Sequence, residues 1–443
     1  MILGHGIGGR LDLPIPFLYF TLAATTVLVV TFVMLSARWP EPRLQHPTWR
    51  VVAMPPWMRL GGRILSAASV MLLVLMVLSG LLGSDDALEN PAPVMVFVGL
   101  WLMFPFLSAL VGDFYQVVAP WRVLARWLKL DRPGDPGMSS RVGYWPAAAV
   151  LFGFTWWELV SPIGSVPWWL AVIALAYTLY MLVTIGVWGS ESQLTAWDGF
   201  GAYNYLMGAI GPLGRNRHGE LVRRKWLTGL PMVAERPGLD ALAVVLIGGV
   251  TYDGLVGIPF WRNQLAGPLE DTLSATGLGW QWAEAVVGTF GLVAVVLMVG
   301  WAYHLACAVS AILSDADMGP TRIRIRFAHT LVPIALAYAF AHYFTLVIYE
   351  GQFFLTAIAD PFDLGWDVLG VADRAVDYTL ISPTAVWYVQ LAAVIAGHVG
   401  GVILAHDRAL VDFPGVKAIR SQYPMLALMV VLTMLALFLL TAG

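Results

Sequence analysis

Residues 327 to 352 read FAHTLVPIALAYAFAHYFTLVIYEGQ. The stretch is long and apolar enough to cross a bilayer as one helix, which takes about 20 apolar residues. It also carries His329, His342 and Glu350. Ionisable side chains at that depth are costly to hold in hydrocarbon unless they are paired or used. Tyr338, His342, Thr345 and Tyr349 recur at helical spacing and so form one polar stripe. A wet stripe on a spanning helix faces a cavity or a partner helix, and the rest of the chain supplies what His342 faces.

The 443 residues are 59% hydrophobic and 12% charged. Soluble domains carry about twice that charge fraction, ~25%. Ten apolar stretches are long enough to span, near 16–36, 64–84, 93–115, 145–163, 167–188, 239–260, 284–312, 328–350, 384–406 and 424–442. The fold expected is an all-α integral membrane protein, a bundle of about ten transmembrane helices forming a single polytopic domain over residues 1–443. The connecting loops alternate in charge. Arg38, Arg43, Arg50, Arg59 and Arg63 follow the first stretch, and Asp85, Asp86 and Glu89 follow the second. The same alternation runs on to the acidic loop 351–383 and the basic loop 407–423. All the basic loops then fall on one side. The positive-inside rule places them in the cytoplasm of a multi-pass protein of the bacterial plasma membrane, with both termini outside.

Two loops are more than connectors. Residues 191–214 are apolar but glycine-rich and too broken to span, which suggests a re-entrant or interfacial segment on the cytoplasmic side. Residues 351–383 are expected to include an amphipathic helix on the outer surface. Cys307 is the only cysteine, so no intrachain disulfide forms. Phosphate-loop, dinucleotide, zinc-protease and nucleophile-elbow patterns are absent, and nothing points to nucleic acid.

Counting helical rise from the membrane faces places His342 ~24 Å, Glu158 ~20 Å and Asp253 ~20 Å from the cytoplasmic side. Two carboxylates and an imidazole from three helices thus reach one level. Such a set suits a divalent metal (Zn²⁺, Mn²⁺ or Fe²⁺), with a bound water as nucleophile and a carboxylate as general base. Tyr338, on the His342 stripe, joins them as a catalytic candidate. The plainer reading is that Glu158 bonds a neighbouring tyrosine or backbone group and Asp253 caps a helix break. His304 and His398 lie deeper, ~15 Å and ~14 Å from the inner ends of their helices, and could share a metal or ligate a haem. His398 also borders a seam of Ala393, Gly397, Gly401 and Ala405, which fits a helix-packing histidine equally well. Asp113 is expected to pair with a loop arginine. His406 and Asp407 are expected to anchor a helix end through Arg408.

The segments HGIGGRLDLPIP, GDFYQVVAPWR, TYDG, AHYFTLVIYEGQ and GHVGGVILAHDRAL together resemble a family of multi-pass membrane proteins, mostly actinobacterial, labelled fenitrothion hydrolase or fenitrothion-hydrolase-like. The resemblance runs from the N-terminus to about residue 411. One departure is Ala119, where the family carries Asn before Pro-Trp-Arg. The resemblance implies a membrane-bound hydrolase of organophosphorus esters, working as a homo- or hetero-oligomer with a related membrane subunit. It carries over no catalytic residues. Two other functions fit the residues: a transporter or channel with five helices in each half, or a metal- or haem-binding subunit of a larger membrane complex.

Overall fold

The computed structural model describes residues 17–45, 48–130, 140–189, 195–216, 218–315, 317–371 and 374–442. His5 with the motif at 5–16, and residues 191–194, lie outside them. The chain is almost entirely helical. Eleven helices carry the architecture: α1 Phe17–Arg38, α2 Pro56–Leu82, α3 Pro91–Val111, α4 Trp145–Leu159, α5 Pro167–Trp188, α6 Gly199–Ile210, α7 Leu239–Gly257, α8 Trp280–Leu313, α9 Val332–Ala359, α10 Pro383–Asp412 and α11 Tyr423–Ala442. The middle of α3, Val94–Met103, is wound as a π-helix. Strand is confined to β1 Arg50–Val51, β2 Leu213–Arg215 and β3 Leu221–Arg223, which pair antiparallel in the order β1-β3-β2.

Among the described residues, nine helical stretches are long and apolar enough to cross a membrane. The stretch expected to span at 145–163 is not one of them, because α4 has 15 residues. It is ~22 Å long, against a hydrocarbon core of ~30 Å. Its end is set by Pro162, which disfavours helical backbone at Ser161; the Ser161 N–H turns back to the Trp156 carbonyl at 3.1 Å. Its start is pinned where the Tyr144 N–H donates to the Pro237 carbonyl at 2.7 Å. Gly143 makes that crossing with φ +62, and a Cβ there would fall 2.1 Å from the Pro237 oxygen. Only glycine fits.

The re-entrant or interfacial segment contains α6, which is buried along nearly its whole length. A short helix can sit inside a bundle only if its end groups are satisfied. Here both ends are held by side chains. Asp198 Oδ1 accepts from the Gly201 N–H (2.9 Å) and the Tyr177 hydroxyl (2.8 Å), and Oδ2 accepts from Trp121 Nε1 (3.0 Å). At the other end Arg224 donates through Nε to the Gly211 carbonyl (3.0 Å) and through Nη2 to Gly208 (2.6 Å). Acid at the N-terminus and base at the C-terminus also match the helix dipole.

The outer loop differs from expectation. α9 continues to Ala359, and from Asp360 to Ser382 the described residues form turns rather than a separate amphipathic helix. The Asp360 carboxylate accepts from the N–H groups of Leu364, Gly365 and Trp366 at 2.7–3.1 Å. Asp363 and Gly365 take positive φ, +54 and +75, which ends any helix.

α9 and α10 pack closely along the expected small-residue seam. A Cβ on Gly397 would lie 2.2 Å from the Ala337 Cβ and 2.6 Å from the Pro333 carbonyl. At the end of α10, His406 and Asp407 do anchor structure, but not through Arg408. Asp407 holds the loop after α1, accepting from Trp39 Nε1 (3.2 Å), the Arg43 N–H (2.6 Å), the Leu44 N–H (3.2 Å) and Gln45 Nε2 (3.0 Å). The His406 ring lies 2.9 Å from Gln422 Oε1 and 3.0 Å from the Trp39 carbonyl. Arg408 pairs instead with Glu235 at 3.1 Å. Asp407→Ala leaves these donors without an acceptor, and the expected cost is about 3 kcal/mol. The check is a lower melting temperature in detergent, with earlier proteolysis at residues 39–45.

Candidate functional site

The site begins with a close approach of α4 and α7. A Cβ on Gly249 would fall 2.9 Å from Thr155 Cγ2, so the two backbones meet at this glycine. One turn further along each helix stand Glu158 and Asp253, which therefore reach the same level. α9 packs against α7 and adds two consecutive side chains. His342 Nε2 lies 2.9 Å from Asp253 Oδ2, and the Tyr343 hydroxyl donates to the same oxygen at 2.7 Å.

The Asp253 carboxylate is almost sealed from the surface, with 1% of its side chain exposed, whereas His342 keeps 17%. Facing a carboxylate oxygen, Nε2 carries the ring proton, and Nδ1 is left with its lone pair. Glu158 lies within electrostatic reach of Asp253. Its Oε2 is buried and has no hydrogen-bond partner among the described residues. Tyr203, from the buried α6, and Tyr343 both lie within reach of Glu158. Tyr338 sits a turn below His342 on α9, against Thr251 of α7.

The structure thus brings Glu158, Asp253, His342 and Tyr338 into one cluster. The stripe reading of α9 holds as geometry, since Tyr338, Thr345 and Tyr349 are all buried. Two further members, Tyr343 and Tyr203, escape a stripe argument. Tyr343 follows His342 directly and so projects about 100° around the helix, yet both reach one carboxylate because Asp253 lies between them. The signal in the sequence was the His-Tyr pair itself. Tyr203 lies in a segment without spanning periodicity, and nothing local marked it.

The deeper pair is not formed. His304 is exposed on α8, whose inward residues nearby are Tyr303, Ala306, Cys307 and Ser310. His398 is 1% exposed and donates from Nδ1 to the Val394 carbonyl at 2.8 Å. Equal depth fixed their height but not the direction each helix turns them.

For a metal at the upper level, the donor set fits poorly. Among the described residues no three His, Cys, Asp or Glu side chains are arranged to hold an ion. Asp253 Oδ2 already serves His342 and Tyr343, so a cage of Glu158, Asp253 and His342 would have to displace both. The cluster is tied together by hydrogen bonds to Asp253 Oδ2.

Asp113 lies just beyond α3. Its carboxylate accepts from the Gln116 N–H (3.3 Å) and side chain (2.7 Å) rather than pairing with an arginine. Arg122 and Arg224 stand farther off, and Tyr115 and Tyr205 also face it. Burial pushes its pKa up to about 6. The folded state therefore binds more protons than the unfolded one between the ordinary value of 3.8 and about 6. Stability falls as pH rises through that window and is level above it. Asp113→Asn is expected to stabilise the protein by roughly 2 kcal/mol at pH 7, with the gain vanishing near pH 4. Melting temperatures of both forms across that range test this.

The chain matches no family model, no curated protein and no solved structure.

Proposed function

We propose that the protein is a hydrolase of the bacterial plasma membrane acting on neutral organophosphorus-like esters, with Asp253–His342 as its general-base pair. The termini lie outside and the basic loops lie in the cytoplasm on this reading, supported by the charge alternation of the loops. The observation that carries it is the double hydrogen bond to Asp253 Oδ2 from His342 and Tyr343. It orients the imidazole through Nε2 and leaves Nδ1 as the ring nitrogen that does not face Asp253. Base plus orienting carboxylate is the arrangement that activates a nucleophile.

The steps follow from the groups present. His342 Nδ1 takes a proton from water, and the water oxygen attacks phosphorus. The bond from phosphorus to the aryl oxygen breaks, and the electron pair leaves with the aryloxide. Asp253 stabilises the imidazolium and Tyr343 steadies Asp253. Glu158, with one oxygen free of hydrogen bonds, is the group able to exchange a proton with the site. The test is release of nitrophenolate from a dialkyl nitrophenyl phosphate by purified protein in proteoliposomes, compared with His342→Ala.

One feature favours a second reading. α4 is short and α6 is a buried half-length helix, and interrupted helices beside buried carboxylates also build transporter sites. Flux of a solute into proteoliposomes, lost in Asp253→Asn and unaccompanied by hydrolysis, would favour that function instead.

A further inference from the structure

Hydrolysis of a neutral aryl phosphotriester consumes one water. One proton of that water stays on His342, because the aryloxide leaves with its own electron pair. The second leaves with the ionising phosphodiester acid. The proton on His342 must depart before the next turnover, and polar groups run on from the site into the interior of the bundle.

The first is Glu158, whose Oε2 is buried without a partner. Tyr203 of α6 lies within electrostatic reach of it. The next residue, Asn204, is fully buried, and its Oδ1 accepts from Ser108 Oγ of α3 at 2.8 Å. Both helices then lead to Asp113. Ser108 stands in the last turn of α3, and Asp113 follows just after that helix ends at Val111. Along α6, Tyr203 to Gly208 is a rise of ~7.5 Å, and a Cβ on Gly208 would fall 2.5 Å from the Asp113 backbone nitrogen. Beyond Asp113 lie Arg122, Arg224 and the basic loop.

We propose that Glu158, Tyr203, the Ser108–Asn204 pair and Asp113 form a proton path from the His342 site to the basic-loop face. The separations are bridged by water, which polar-lined interiors accept. A buried Ser–Asn pair between two helices contributes little to packing that apolar residues would not. Its place between two carboxyl groups gives it a role. Asp113 suits the exit, since burial brings its proton affinity to within reach of neutral pH. This inference rests on the hydrolase reading, and its tests are chosen so that the two fail separately.

In stopped-flow hydrolysis of a dialkyl nitrophenyl phosphate, Asp113→Asn is expected to keep the first turnover. Its steady-state rate falls at least about tenfold, and millimolar imidazole or formate restores it. An unchanged steady-state rate, or a loss that small acids do not rescue, overturns the path. Hydrolysis that survives His342→Ala overturns the functional reading instead. A measurement independent of hydrolysis is deuterium exchange of the Glu158 carboxyl stretch, identified by its loss in Glu158→Gln. Asp113→Asn and Asn204→Leu should each slow that exchange at least about tenfold relative to wild type. Exchange at the wild-type rate in both variants removes the path whatever the enzyme assay shows.

Discussion

Replacing His342 with alanine is expected to lower steady-state hydrolysis by about 10²- to 10⁴-fold, the usual contribution of a positioned acid–base group. The loss should fall on kcat, because the imidazole acts in the transition state and contributes little to holding a neutral ester. Asp253→Asn should cost a comparable factor by another route. An amide can present its N–H₂ to Nε2, which reverses the tautomer and takes away the Nδ1 lone pair. Tyr343→Phe should cost less, since it removes only one of the two bonds to Asp253 Oδ2. That order, with His342 and Asp253 far above Tyr343, separates an oriented base from a general loss of packing. Folding is controlled by the melting temperature, read beside Tyr343→Phe, which loses another bond to the same buried carboxylate. A chelator should leave the wild-type rate in place. Activity that tracks metal content, or a His342→Ala variant with the wild-type kcat, would remove the dyad.

Gly397→Ala should be among the most damaging substitutions in stability, about 3 kcal/mol. The added Cβ would sit 2.2 Å from the Ala337 Cβ and 2.6 Å from the Pro333 carbonyl. A methyl can sometimes be accommodated by a neighbouring side chain that swings away. Here the obstacles are another Cβ and a backbone oxygen, neither of which has a rotamer to change. The two helices must separate, and α9 carries His342. The substitution should therefore lower activity together with stability. Ala337→Gly in the same chain should recover part of the loss, leaving the share due to the Pro333 oxygen; a double-mutant cycle on melting temperatures separates the two. A stability equal to wild type would mean that α9 and α10 do not lie as close as 2.2 Å implies.

Hydropathy made the long helices readable, because spanning needs a run of apolar residues that few other structures require. The same measure extended 145–163 into a span. It counts apolar residues and is blind to Ser161–Pro162, which end α4 early. Rise per residue put Glu158, Asp253 and His342 at one height, and the helices do bring them together. It put His304 and His398 at one height as well, and they diverge, because height carries no information about which way a side chain faces. For Asp253 the missing direction was implicit in Gly249, one turn before it, where α4 comes close at Thr155. His304 has Tyr303 and Cys307 buried beside it, but is itself exposed. The outer loop failed for a local reason: Asp360 and the positive φ at Asp363 wind its start into turns.

The caps on α6 bear on how the chain is made. A helix of 12 residues enclosed by protein cannot be handed to lipid as an independent span. Its N-terminal ties come from Trp121 and Tyr177, already synthesised, but its C-terminal tie is Arg224, which emerges later. Tyr203 can therefore reach its place beside Glu158 only after β3 has formed and brought Arg224 to the end of the helix. A chain that stops before Arg224 therefore holds α6 by its N-terminal ties alone, and α7 and α9, with Asp253 and His342, are added only afterwards.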